Sequence, residues 1–227
     1  MKINQIKDSD TMFIAIIGDL IDSKQLDNRQ QIQEQLQSAL DFINIQFKDD
    51  IVSQLTLTLG DEFQGLLKVG APVCFILDTL ESQISQLNVR YGIGIGDIVT
   101  EINPSLSIGA DGPAFWHARE ALEYIHDNHD YGMSHTYLIS EKKEFRLIND
   151  ILALSDHIKY SMTNIQKETL HFIIKEGIYS DTFDQKSVAH KMNISDVSLY
   201  KRLKAGQIKV YLRSRLHIDQ YLKEILL

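Results

Sequence analysis

The chain has 227 residues, 44% of them hydrophobic, the balance of a soluble globular protein with material for one large domain or two small ones. Its single cysteine, Cys74, excludes an intrachain disulfide and a cysteine-built zinc site, and its neighbours Val73, Phe75, Ile76 and Leu77 mark a buried thiol rather than a nucleophile. The net charge of −8 is uneven: residues 1–150 hold 11 Lys and Arg against 23 Asp and Glu, and residues 151–227 hold 12 against 8. Any nucleic-acid contact is therefore expected in the C-terminal third.

The polar stretch Met1 to Asp10 lacks a signal-peptide core, and no apolar run reaches transmembrane length, which predicts a cytoplasmic protein with no membrane partner. Met12 to Gly18 reads as a central strand that runs into Asp19. Asp27 or Asn28 can cap the next segment, a helix carrying Ile32, Leu36, Leu40 and Ile43, with Phe47 one turn further. Ile51 to Leu59 and Phe63 to Val69 read as paired strands joined at Gly60-Asp61. A helix opens near Pro72 and carries Phe75, Leu80, Ile84 and Leu87.

Arg90 to Ile98 is a strand with glycine at every second position (Gly92, Gly94, Gly96), which leaves one face open to a ligand or to another backbone. The loop Asn103 to Pro113, a helix Ala114 to His126 and a strand Thr136 to Ile139 follow. The order β-α-β-β-α-β-α-β predicts a ferredoxin-like sheet with one appended strand and helices covering one face. From about Leu147 the pattern is helical to the end. The fold class is α+β, with a ferredoxin-like domain over 1–146 and an all-α domain over 147–227, joined through the helix at Leu147 to Ser161.

Asp19 and Asp61, each after a glycine and each closing an apolar strand, are the candidate ligands of a divalent metal, Mg²⁺ or Mn²⁺; the plainer reading makes them turn residues. Glu62 is expected on the opposite face, because strand residues alternate. The amides of Asp22, Ser23 and Lys24, with the Lys24 side chain, can meet a phosphate. Arg29 can reach phosphate or lie solvated on its helix. His117, His126, His129 and His135 match no zinc spacing and suit surface or supporting roles, and Asp97 and Asp111 suit loop capping.

Gly18-Asp19, Leu59-Gly60-Asp61-Glu62-Phe63, Arg90-Tyr91-Gly92-Ile93-Gly94-Ile95-Gly96 and Ala118-Arg119 occur in the order seen in class III nucleotidyl cyclases, and the hairpin resembles the GGDEF hairpin of diguanylate cyclases. The whole chain resembles the SatD family of bacterial proteins. The cyclase resemblance implies a palm-type, nucleotide cyclase-like fold in which Asp19 and Asp61 hold metal and Leu20 adds a backbone carbonyl. Ile21 to Lys24 would then cradle phosphate, and Arg119 would meet it during reaction. Phe115, or a neighbour, stands where cyclases carry an asparagine, and Leu57 where they carry a base-reading lysine. Cyclisation is accordingly expected to be slow or absent.

In the C-terminal third, Thr163 to Lys167 opens a helix that runs to Gly177. Ser187 to Leu203 resembles the helix-turn-helix of sigma-factor region 4, with Ala189 at the helix crossing, Asn193 in the turn, and Ile194, Val197 and Leu203 facing the core. Ser198, Tyr200, Lys201, Arg202 and Lys204 would face duplex DNA; the alternative is a helical assembly module with solvated bases. Leu212, Leu216, Tyr221, Leu222, Ile225 and Leu226 form a further apolar stripe suited to a homodimer contact. The leading expectation is a bacterial regulator that couples a metal-nucleotide site to DNA binding. The alternatives are a metal-dependent nucleotidyl cyclase or nucleotide phosphohydrolase whose helical domain serves assembly, or a scaffold with neither activity.

Overall fold

A computed structural model of the chain describes residues 12–21, 28–58, 60–141 and 143–227. It is a mixed α/β structure built on one five-stranded sheet. The elements are β1 (Phe13–Leu20), α1 (Arg29–Gln46), β2 (Ile51–Leu57), β3 (Glu62–Lys68), α2 (Val73–Gln83), β4 (Val89–Gly96), α3 (Pro113–Asp127) and β5 (Thr136–Ser140), and then the helices α4 (Arg146–Tyr160), α5 (Asn164–Lys175), α6 (Gln185–Lys191), α7 (Asp196–Ala205) and α8 (Ile208–Leu226). The predicted element order holds throughout.

The strand order is β2-β3-β1-β4-β5. β1 runs antiparallel to both β3 and β4, β2 runs antiparallel to β3, and β5 joins β4 in parallel. Period-two alternation sends the residues of β1 to opposite sides. Ile14 and Ile16 pack with α1 and α2 in the larger core, while Ala15 and Ile17 pack with Ala114, Phe115, Ala118 and Leu122 of α3. Helices therefore cover both faces, not one as expected. The cause is the glycine stripe of β4. A Cβ at Gly92 would lie 2.0 Å from the Ala118 carbonyl oxygen, and one at Gly94 would lie 2.0 Å from that of Ala114. The stripe admits a helix backbone directly onto the strand, so of its two readings the approaching backbone is the one realised.

The helices after β5 share the larger core. Ile148 and Leu152 of α4 and Ile218 and Leu222 of α8 pack beneath the sheet. A second core joins Leu170, Ile173, Ala189, Leu199, Leu203, Tyr211 and Leu212. The apolar stripe of α8 read as a dimer contact is thus largely consumed within the chain, with Leu212 and Leu222 buried and Tyr221 left exposed.

Between the cores lies a buried ionic cluster. Asp78 of α2 accepts hydrogen bonds from the Tyr179 and Tyr211 hydroxyls, both at 2.5 Å, and from Arg215 Nη2 at 3.3 Å. Lys159 Nζ lies 2.8 Å from Glu81 Oε1 and 3.5 Å from Asp78 Oδ1, and Arg215 Nη1 lies 3.5 Å from Asp156 Oδ1. Burial pushes the Asp78 carboxyl up, but the charges of Arg215 and Lys159 and the two tyrosine bonds outweigh it and hold Asp78 below its usual range. Asp219 of α8 accepts the amides of Cys74 at 2.7 Å and Phe75 at 3.1 Å, capping the start of α2. Burial nevertheless raises the Asp219 carboxyl to about 7.

Two outcomes are expected. Arg215→Met leaves buried Asp78 and Asp156 short of a counter-charge and should cost about 3–5 kcal/mol in urea unfolding. Because Asp219 has a higher pKa folded than unfolded, its contribution is fully present below the unfolded value and is lost as pH rises through about 7. Unfolding followed between about pH 5 and about pH 8 should show a stability loss that Asp219→Asn flattens.

Candidate functional site

Three charged residues meet where β1 ends. Asp19 pairs in register with Glu62 of β3 on one side and Arg90 of β4 on the other. Directly opposed residues of antiparallel strands share a face, so all three side chains emerge on the side of α3. This corrects the expectation that Glu62 points away: alternation within the hairpin says nothing about which strand residue lies opposite Asp19. Arg90 Nη1 is 4.0 Å from Asp19 Oδ2. Asp61 sits in the β2–β3 turn, and its carbonyl accepts the amide of Leu20 at 3.2 Å. Partial burial, and next the Asp61 charge, push the Asp19 carboxyl above its usual value, with Arg90 pulling the other way. The Asp61 charge is thus near enough to oppose ionisation of the half-buried Asp19.

Helix α3 supplies the facing wall. Arg119 makes a two-pronged ion pair with Glu62, Nη1 to Oε2 at 2.5 Å and Nη2 to Oε1 at 2.7 Å, and this hydrogen bonding raises the Arg119 pKa further. Leu122, Glu123, His126 and Asp127 continue the wall, and with Asp19, Glu62, Arg90 and Arg119 they line a pocket of 390 Å³. His126 Nδ1 lies 3.0 Å from Asp127 Oδ1.

Of the residues read from sequence, Asp19 and Arg119 line this pocket, and Asp61 stands next to it in the β2–β3 turn, near enough to act on Asp19 by its charge. Leu20 turns its side chain into the core while its amide ties Asp61 in place. Asp22, Ser23 and Lys24, with the proposed cap Asp27 and with Leu59, lie outside the described residues. Arg29 opens α1 with its side chain exposed. Asp111 acts as a loop cap, accepting Gly112 N at 3.0 Å. His135 is buried, and that burial, followed by the Lys159 charge, lowers its pKa to about 3, so it stays neutral. Sequence reasoning missed Glu62, Arg90 and His126. The signal for Arg90 was present, since it precedes Gly92, Gly94 and Gly96 at the same two-residue spacing and so shares their face. Among the described residues no three His, Cys, Asp or Glu side chains are disposed to hold a metal by themselves. Asp19 and Asp61 would offer two carboxylates, a donor set typical of magnesium that keeps several waters and takes its remaining ligands from phosphate.

A second surface lies on α6 and α7. Asn193 between them adopts φ +54°, and Ile194 N donates to Ala189 O at 3.0 Å, which closes a tight turn over the buried Ala189. Ser195 caps α7 by accepting Ser198 N at 3.2 Å. Tyr200, Lys201 and Lys204 are exposed, whereas Ser198 is partly buried and Arg202 reaches inward to Thr169 Oγ1 at 3.4 Å. Val197 was expected in the core and is 63% exposed; Leu199, at 0%, takes that place. The two stand two positions apart, about 200° around the helix, and so fall on opposite faces, with Leu199 sharing the buried face of Leu203.

The family model described as the SatD family matches residues 13–222. The chain belongs to the SatD family. Searches of curated proteins and of solved structures return no match. The match spans the sheet, the helices α1 to α7 and most of α8, so in this SatD-family chain the strand-end pocket and the α6–α7 surface are parts of one family unit. No helix among the described residues is long and apolar enough to cross a membrane.

The raised Asp19 pKa makes a prediction with a definite sign. The folded state holds a proton that the unfolded chain releases, so ionised Asp19 is destabilising above its folded pKa and the strain is relieved on acidification. Asp19→Asn should therefore raise the urea midpoint at neutral pH, a gain that vanishes at low pH. An unchanged or lower midpoint at neutral pH would show that burial and the Asp61 charge do not together make ionised Asp19 destabilising.

Proposed function

We propose that this protein is a nucleotide-responsive regulator, in which a metal-nucleotide site at the end of β1 is joined to a DNA-binding helical segment. The observation that carries the reading is the adjacency of Asp19 and Asp61 at the open end of β1, with Arg90 and Arg119 beside them. Paired carboxylates attract a divalent cation, and flanking guanidinium groups suit the phosphates that such a cation brings. In support, the strand order β2-β3-β1-β4 with its antiparallel β1 pairings is compatible with the ferredoxin-like sheet that the cyclase resemblance implies.

Sensing is favoured over turnover. Phe115, one helical turn before Arg119, is 6% exposed and packs against the sheet, so no polar side chain stands there to steady a reacting phosphoryl group. The Glu62–Arg119 pair further occupies the arginine that a reaction would need. Binding of a nucleotide has to compete for Arg119, which gives the ligand a lever on α3.

The helical segment supports the second half of the reading. A short helix, a tight turn through Asn193 and a second helix with Tyr200, Lys201 and Lys204 exposed fit a helix-turn-helix whose second helix enters the major groove. Arg202, bonded to Thr169, would support this helix rather than read DNA.

Calorimetry with nucleoside triphosphates and magnesium should show metal-dependent binding that Asp19→Asn and Asp61→Asn each weaken by about ten-fold or more. Equal affinity in wild type and both variants sinks the site. Gel-shift titrations of the whole chain on duplex DNA should show affinity falling steeply with salt, and Lys201→Ala with Lys204→Ala should weaken binding and reduce the salt slope by about 2. The whole chain is required because Arg215 and Asp219 of α8 are held by α2. Absence of duplex binding at low salt removes the DNA half of the reading.

A further inference from the structure

We propose that the pocket continues past Arg119 into a nucleobase subsite built on Trp116, so that a nucleoside triphosphate lies along α3 with its base at the indole and its phosphates at Asp19 and Arg119. This rests on the nucleotide reading of the strand-end site and adds the half that reads the base. A second depression, of 420 Å³, runs along the same flank of α3 and shares Arg119 and Glu123 with the first. Ile17 and Gln64 form its floor, and Phe115 and Trp116 its wall.

The chemistry changes between the two depressions, which meet at Arg119 and Glu123. The β1 end offers carboxylates and guanidinium groups; the far end adds the aromatic and apolar groups of Ile17, Phe115 and Trp116 beside Gln64 and Glu120. Trp116 is 55% exposed, yet it is fixed, because Nε1 donates to Asp111 Oδ1 at 2.6 Å and the same oxygen accepts Gly112 N. An indole whose polar atom is already bonded has its ring to offer, and stacking on an aromatic ring is a general way to hold a base. The floor is equally set. Gln64 Nε2 donates to Ser107 O at 2.7 Å and Ser107 Oγ donates to Gln64 O at 2.9 Å, locking the β4–α3 loop onto β3.

The orientation follows from the cation: a divalent ion held at Asp19 would draw the phosphates to the β1 end, where Arg90 and Arg119 also stand, and leave the base to Trp116. From Trp116 to Glu123 the helix advances about 10 Å at its usual rise, the separation between a base and its outer phosphates.

Trp116 is the only tryptophan of the chain, so its fluorescence reports on this one place. The test titrates magnesium complexes of ATP, GTP, CTP and UTP, and of inorganic tripolyphosphate as the base-free probe, by fluorescence and calorimetry together. The nucleoside triphosphates should quench Trp116, and tripolyphosphate should bind without quenching. Trp116→Leu should lower nucleoside triphosphate affinity by about ten-fold or more, toward that of tripolyphosphate. Tripolyphosphate affinity should be unchanged by that substitution, and Trp116→Phe should recover most of the loss. If nucleotides bind in an Asp19-dependent manner but fluorescence does not change, or Trp116→Leu leaves their affinity intact, the subsite is overturned while the nucleotide reading stands. If neither nucleotides nor tripolyphosphate bind, both fall.

Discussion

Asp78 is the point on which the two halves of this molecule depend. It sits fully within the protein on α2, and its two oxygens are met by two tyrosine hydroxyls, an arginine and a lysine that come from beyond the sheet. A buried carboxylate is costly to desolvate, and removal of one partner from such a cluster costs more than the intact cluster contributes. The arrangement therefore acts mainly as a demand for correct assembly: α4, α8 and the segment holding Tyr179 must all dock on α2 before the charges are satisfied. Asp219 adds a second tie by capping α2 with a carboxylate from α8.

This cluster lies close to the strand-end pocket. Arg90 and Tyr91 are consecutive on β4 and so face opposite sides of the sheet, the first toward Asp19 and the second toward the larger core. Tyr91 N donates to His135 O at 2.7 Å, and His135 N donates to Asp156 Oδ2 at 2.9 Å, which brings the chain of contacts to Arg215. A displacement of β4 at the pocket thus has a short covalent and hydrogen-bonded route to the helices that carry α6 and α7. The pocket wall is equally rigid, since α3 is seated on glycines that leave no side chain to give way. The movable parts are the long side chains of Arg119 and Glu62, whose pairing is partly solvent-exposed.

Much of this was legible in the sequence because it is local. The element order, the turn at Gly60-Asp61, the cap at Thr163 and the left-handed turn at Asn193 each follow from residues within a few positions of one another. Asp19 and Asp61 could be paired because each follows a glycine after an apolar run. The glycine stripe of β4 announced a close approach, and only the identity of what approached was open. Position along a helix was less secure: Val197, read as core, is exposed, and Leu199 is buried with Leu203, because which face of α7 is covered depends on the helices packed against it.

The sequence by itself determined the strands, the helices, their order and the two aspartates, since hydrophobic period and turn chemistry act over a few residues. Tertiary structure alone decided that Glu62 and Arg90 flank Asp19, because register between strands is a long-range choice set by which side chains fill the two cores. It also decided that α3 covers the second face and that Arg119 meets Glu62 across 57 positions of sequence. The ionic cluster was beyond reach for the same reason. Asp78, Lys159 and Arg215 look like ordinary surface charges in sequence, and only the closure of helices over α2 removes them from water and obliges them to pair.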